Sequence, residues 1–468
     1  LPAAERCGPG RQEQTTYAPL CNRGEVLATA ATRVSSLQPN DRLQKAGMGF
    51  FWLSGFYLVY CARPEDWFSP IGIIPLAKVT GVMAVLAFMF SSKKGQRKFS
   101  DLPIESYCLL LMIAILMLSS LVSPVWKGGA ITRTMDFSKV WIVYALTFLL
   151  VTDLAKLRRI VFIQAASVPV ICLLSVVKGY GRVRLDGVLG GIYSNPNDLA
   201  FAISLSLPFC LMFLLTTRSG FRKILWGAGM LIMVLALFLT ASRGGFITLV
   251  FTGMVCLWHF GVKGKRFYLI AATVFVGVLV VAFAGKTMTQ RFTSLWTERH
   301  ELHTREERRA FDSFEQRQFL IDQAFRGIAD YPIIGIGTGD FEIYSSVWRE
   351  VHVTYLQIAV EGGLTSLILF LFFFGRGFRH VWRLLRRKDL TPEQKLFAGA
   401  LNSVLVGFAV GALFAPEAYQ FFPFFTVAYA AALLAFVEGD ARKKKAAAAK
   451  PPVRQVPAYV GMGVPVNH

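Results

Sequence analysis

Apolar residues along this chain come in long runs separated by short polar stretches. The runs occupy residues 48–61, 71–90, 107–122, 140–151, 160–177, 199–215, 224–240, 246–260, 267–284, 353–374, 396–414 and 421–437. A helix crosses the hydrocarbon core of a bilayer with roughly 20 apolar residues, and most runs approach or reach that length; the first and fourth are short. The short alternating strands of a transmembrane barrel are absent. The pattern predicts an all-α, polytopic membrane protein with about 12 transmembrane helices.

Composition agrees with the pattern. Of 468 residues, 54% are hydrophobic and only 17% charged, and the mean hydropathy is +0.48. A soluble chain of this length carries more charge. The net charge of +21 would point to nucleic acid in a soluble protein. Here the excess sits in "SSKKGQRK", "KLRR", "TRSGFRK", "KGKR", "GRGFRHVWRLLRRK" and "RKKK". These stretches fall on alternate sides of successive runs, as one set. The positive-inside rule then puts them, and both termini, in the cytoplasm, and no nucleic-acid partner is expected. The seven cysteines are scattered without a CxxC or Cys/His cluster, so neither a disulfide framework nor a metal site is expected.

The reading divides the chain into a polar leader (1–47), nine transmembrane helices (48–284), a long loop (285–351), three more helices (352–437) and a basic low-complexity tail (438–468). The leader lacks an apolar h-region and reads as a disordered segment or an extension upstream of Met48; the tail reads as disordered and cytoplasmic. The long loop carries nine Lys/Arg and eleven Asp/Glu and falls on the exoplasmic side. Its "SFEQRQFLIDQAFRGI" has helical periodicity, with Phe314, Phe319, Ala324 and Phe325 among the apolar positions, and "DYPIIGIGTGDF" follows as a turn region. A long loop with its own helix usually has a task.

Polar residues gather at the outer mouths. In "SNPNDLA", Asn195 fits an N-cap, Pro196 the first helical position and Asp198 the third, facing the positive end of the helix dipole. Helix-start chemistry accounts for Pro196 and Asp198, and less well for "GRVRLDGVLGGIYS" before them, which brings Arg182 and Arg184 to the same mouth. In "TASRGGF", Arg243 is the one basic residue of a very short outer turn. Such an arginine either snorkels to lipid headgroups or grips a phosphate with its bidentate fork. His352, in "REVHVTYLQIAVEGGL", stands where the long loop re-enters the membrane. A helix N-terminus disfavours the imidazolium, leaving a neutral imidazole able to act as a base; Tyr355 lies one turn on, on the same face. Glu361 is deeper in that run, on the face opposite His352 at 100° per residue. It is either a functional intramembrane carboxylate or a paired structural one. Arg291 and Arg317 complete the outer basic set, in a loop where each has acids to pair with.

Taken in order, "SNPNDLA" after a Gly-rich outer loop, "SRGG" at a helix end, an arginine before "YPIIGIGTGDF", and "HVTYLQIAVEGGL" resemble the O-antigen ligase/polymerase superfamily of bacterial polytopic glycosyltransferases, with a GT-C-like architecture. The motifs cover residues 187–364. The early "YCARPEDWFSPIGIIPLAKVTG" resembles the branch of O-glycosylation ligases associated with exosortase systems. The family pattern reads His-Asn where this chain has His352-Val353, which removes one polar contact and keeps the imidazole. The resemblance implies an inner-membrane enzyme that transfers a glycan from a polyprenyl (undecaprenyl) diphosphate carrier to a hydroxyl of an acceptor lipid, protein or glycan, on the periplasmic face. It implies diphosphate-binding roles for Arg243 and Arg317, an acceptor-side role for His352, and no cofactor. Arg184, Asn195, Asn197, Asp198, Arg291, Tyr355 and Glu361 are further cavity positions.

The residues fit that chemistry independently. Diphosphate is a good leaving group once its charge is held, and two arginines can hold it; no DxD-type pair stands in the outer mouths. A ligase moves a finished glycan, whereas a polymerase extends one still on its carrier. A transporter or flippase is a third reading, but no clear repeat relates the two halves and the polar motifs lie at outer mouths, away from mid-membrane.

Overall fold

The structure, a computed structural model, describes residues 47–67, 75–90, 96–179, 185, 193, 195–279 and 305–448. Arg182, Arg184 and Arg291 lie outside the described residues, as do 1–46 of the leader and 449–468 of the tail. The described part is all-helical, without a β-strand among the described residues. In chain order the helices are α1 (Met48–Ala62), α2 (Pro64–Trp67), α3 (Leu76–Phe90), α4 (Ile104–Leu121), α5 (Lys127–Leu150), α6 (Leu154–Lys178), α7 (Pro196–Thr216), α8 (Gly220–Thr240) and α9 (Arg243–Leu257). There follow α10 (Tyr268–Leu279), α11 (Arg305–Asp330), α12 (Phe341–Tyr344), α13 (Thr354–Arg386), α14 (Pro392–Gly411) and α15 (Phe421–Ala448).

Eight described helices are long and apolar enough to cross a membrane: α4, α6, α7, α8, α9 with the π-turn Trp258–Val262 that extends it, α13, α14 and α15. The chain is a multi-pass membrane protein. The other four predicted runs fall in α1 and α3, which are short, in α5, whose first turns carry Lys127, Arg133, Asp136 and Lys139, and in α10. Two boundaries move. The basic stretch 375–388, expected as a loop, is helical through Arg386, because Phe374, Gly377, Val381 and Leu384 recur at helical spacing and are buried while Arg379, Arg383 and Arg386 point elsewhere. Helix α15 likewise continues to Ala448, past residue 437 where the last run ends.

Local chemistry sets the helix starts. Asp153, Asn195, Ser242 and Thr391 each accept a hydrogen bond from a backbone N–H of the first turn of α6, α7, α9 and α14, satisfying donors that a helix leaves open. In the bundle, α9 packs on α7 and α14, and α13 packs on α4, α14 and α15. The core joining α13, α14 and α15 is aromatic: Phe374 stacks within 4.4 Å of Phe408 and 5.3 Å of Phe424, ring centre to ring centre. Rings at such distances contribute beyond their buried area. Glu105 of α4, fully buried, is held by His380 and by Arg376 Nε at 3.2 Å, both from α13. A carboxylate there requires such partners, because an uncompensated buried charge costs several kcal/mol.

The segment between α10 and α13 has its own core. Leu320 and Ala324 of α11, Ile336, Phe341 and Val351 close on Val360 of α13. Of the apolar positions expected to organise α11, Ala324 is buried, but Phe314, Phe319 and Phe325 are exposed; Leu320 supplies the contact instead. The turn 331–341 then meets α13 where that helix breaks. Gly363 has φ 73° and ψ 172°, a conformation essentially reserved for glycine. The break frees backbone groups for the turn: Ile336 and Gly337 donate to the carbonyls of Val360 and Glu361 at 3.0 Å, and Leu364 donates to Pro332 at 2.8 Å.

Candidate functional site

The sequence motifs converge at one end of the bundle, through the capped helix starts. Asn195 Oδ1 caps α7 by accepting from Asn197 N–H at 3.0 Å. Asn197 Oδ1 in turn accepts from Ser242 Oγ at 2.7 Å, and Ser242 Oγ accepts from Gly245 N–H at 3.2 Å to cap α9. One chain of hydrogen bonds therefore locks "SNPND" to "SRGG". The helices touch closely beneath it: a Cβ on Gly245 would lie 2.4 Å from Ala200 Cβ. Ala241, in the left-handed conformation with φ 50°, turns the chain from α8 into α9. Arg243 opens α9 and is half-buried.

The start of α13 arrives at the same place. Thr354 N–H donates to Ala412 at 2.8 Å, Thr354 Oγ1 donates to Ala415 at 2.7 Å, and it accepts from Glu417 N–H at 3.0 Å. The turn after α14 is thus stitched to α13. It also meets α9, since a Cβ on Gly244 would lie 2.7 Å from Phe414 Cβ. His352 stands two residues before α13. Its Nδ1 is buried and has no hydrogen-bond partner among the described residues. Burial, then the positive charges of Arg317 and Arg349, push its pKa down to about 4. Burial and the two arginines favour the neutral imidazole at pH 7. The charge of Arg317 acts on His352 because α11 docks on α13 through the core described above.

Tyr355 and Glu361 take other partners. Tyr355 Oη donates to the Ala409 carbonyl of α14 at 2.8 Å, which ties α13 to α14. Glu361, 1% exposed, accepts from Tyr419 Oη at 2.6 Å through Oε2, while Oε1 has no partner among the described residues. Asp198 lies in the first turn of α7.

Three further residues join this end without having been singled out in the sequence. Arg133 of α5 donates to the Gly339 carbonyl at 2.8 Å and to Glu342 at 2.9 Å, clamping the turn 331–341. Glu350 is pushed up to about 7 by burial and by the negative charges of Glu342 and Asp198, against the pull of Arg133. Glu417, 3% exposed, is raised well above the usual carboxylate range by burial, then by Asp198 and Glu350. Each carried a signal: Glu350 lies two residues before His352, Glu417 is an acid between two apolar runs in "FAPEAYQFF", and Arg133 is a basic residue away from the basic loops. The site therefore sets arginines and an imidazole beside carboxyl groups that are buried (Glu361, Glu417) or half-buried (Asp198, Glu350). No cluster of three or more metal-ligating side chains occurs among the described residues.

Residues 228–371 match the family model described as O-Antigen ligase, a segment that contains Arg243, Arg317, His352 and Glu361. The match supports the O-antigen ligase superfamily and a membrane function of ligase or polymerase type, with glycan and lipid-linked substrates. No curated protein matches the chain.

Proposed function

With the O-antigen ligase segment as premise, we propose that this chain is a metal-independent glycosyltransferase of O-antigen ligase type. It crosses the bacterial inner membrane twelve times with both termini in the cytoplasm. It transfers a glycan from an undecaprenyl-type diphosphate to an acceptor hydroxyl at the periplasmic end of the bundle. The reading is carried by His352 lying within the electrostatic reach of Arg317, next to the interlocked starts of α7 and α9, where Arg243 stands.

In the proposed reaction Arg243 and Arg317 hold the diphosphate. The acceptor oxygen attacks the anomeric carbon as the bond from that carbon to the diphosphate oxygen breaks. The electron pair leaves with the polyprenyl diphosphate, whose charge the arginines offset. His352 takes the acceptor's proton. A single displacement inverts the anomeric configuration. Binding the anionic diphosphate beside Arg317 also cancels part of the positive field that depresses His352, so the imidazole becomes a stronger base once the donor is seated. Asp198, Glu350 and Glu417 offer hydrogen-bonding groups to the sugar.

Within the family we adopt the ligase over the polymerase, on the "RPEDW" stretch and its resemblance to the exosortase-associated branch. Loss of a ligase leaves long glycan on its carrier, whereas loss of a polymerase leaves single repeats. The direct test is transfer from lipid-linked glycan by purified protein in EDTA. Activity should persist, and His352→Ala should lower it by about a hundredfold or more. Full activity of the variant, or abolition of wild-type activity by EDTA, would overturn the mechanism.

A further inference from the structure

A cavity lies at the other end of the bundle, away from the residues of the candidate site. It encloses about 1180 Å³ between the ends of α9 and α13 and the flank of α14. From Arg243 at the start of α9 to Val262 is 20 residues, about 28 Å along a helix axis, so the two sites stand a membrane thickness apart. Arg158 of α6 pairs with Glu393 of α14 and lines a smaller hollow with Arg218 and Arg222. The basic stretches 156–159, 217–223 and the start of α14 thus share an end.

The cavity wall is mainly apolar. Trp258 and Trp382 stand at its rim, 53% and 52% exposed. Indole rings favour the level of lipid headgroups, where one edge is apolar and the other wet. Among the described residues, the charged side chains lining it are Lys263 and Arg379, and none is a carboxylate. Lys263 Nζ lies 5.6 Å from the centre of the Trp258 ring, and the π-turn Trp258–Val262 re-aims this stretch of α9. On the same wall, the Asn402 side-chain amide donates to His259 Nε2 at 2.9 Å. The volume exceeds that of a pocket for a drug-sized ligand. An apolar slot with two cations at a tryptophan rim complements one kind of molecule abundant at that depth, a lipid with a negative headgroup and long chains.

We propose that this groove is a binding site for an anionic phospholipid of the leaflet at the basic end. The headgroup phosphate lies between Lys263 and Arg379 and an acyl chain fills the slot beside Trp258 and Trp382. The site is separate from glycan transfer and stands whether or not that reaction is the right one. Basic side chains near a membrane surface favour anionic lipid, and two of them correspond to about a thirtyfold preference.

The full chain is reconstituted in nanodiscs of equimolar phosphatidylglycerol and phosphatidylcholine, and the lipids retained on it are counted by native mass spectrometry. Phosphatidylglycerol should be retained about thirtyfold over phosphatidylcholine. The double variant Lys263→Ala with Arg379→Ala should lose that preference, and Lys263→Arg with Arg379→Lys should keep it. Trp382→Ala should weaken retention of both lipids. Excess inorganic phosphate should not displace the bound lipid. Equal retention of both lipids by the wild type, an undiminished preference in the alanine variant, or displacement by phosphate alone would each overturn the proposal.

Discussion

His352 shows how a single side chain takes its chemistry from its surroundings. In the free protein its pKa is about 4, lowered first by burial and then by Arg317 and Arg349. The acid limb of kcat/KM, which reports the free enzyme, should therefore lie near pH 4 as far as this group sets it. The limb of kcat should lie higher, because bound diphosphate offsets the arginines. Coincident limbs in a transfer assay across pH would contradict the coupling. Arg243→Ala should cost about a hundredfold or more in kcat, with less loss for Arg243→Lys, which keeps charge but not the fork. Glu350 makes a prediction about stability. Its carboxyl ordinarily titrates near 4.5 and is held up at about 7 in the fold. Between those values the folded state binds more protons than the unfolded state, so stability falls as pH rises through the window. The melting temperature should drop from pH 5 to pH 8, and Glu350→Gln should flatten the slope; an unchanged slope would place its origin elsewhere.

At the scale of elements, two joints hold the candidate site together. Ser242 caps α9 and bonds Asn197 of α7 with the same hydroxyl. Ser242→Ala should destabilise the protein by about 1–2 kcal/mol and also loosen Arg243, so donor binding should weaken even below the melting temperature. Thermal melts and donor affinity measured on one preparation separate the two effects. The other joint is the break in α13. Gly363 has φ 73°, and a Cβ there would lie 2.1 Å from the Ile333 carbonyl oxygen; a Cβ on Gly335 would meet the Glu361 backbone at 2.5 Å. Gly363→Ala should cost about 3 kcal/mol or more. Gly375→Ala, where a Cβ meets nothing within 4 Å, should be tolerated. If both variants melt alike, the break is not the constraint that the geometry implies.

At the scale of the whole molecule, the prediction concerns sidedness. Cysteines introduced at Gly220 and Lys388, near the basic stretches, should react with a membrane-impermeant thiol reagent only from the cytoplasmic side, and one at Trp348 only from the opposite side. Labelling from the same side would break the proposed topology. The apolar runs and their spacing determined the helical, membrane-spanning class without reference to any neighbour, because a bilayer imposes its thickness on each segment separately. The helix start at Asn195 was equally local, since a cap is satisfied within one turn, whereas the start of α9 at Arg243, capped by Ser242, was read from the sequence as a turn. The order of the motifs also carried the resemblance to the O-antigen ligase superfamily, whose family model matches residues 228–371. Where α13 and α15 end was not legible, because amphipathic basic turns stay helical only against a packed neighbour. Nor was the company of His352: Arg317 lies 35 residues before it, and sequence distance says nothing about charge in space. That Tyr355 serves α14, that Glu361 pairs with Tyr419, and that Arg133 and Glu350 belong to the site were decided by helix packing alone, which brings remote side chains within hydrogen-bonding and electrostatic reach.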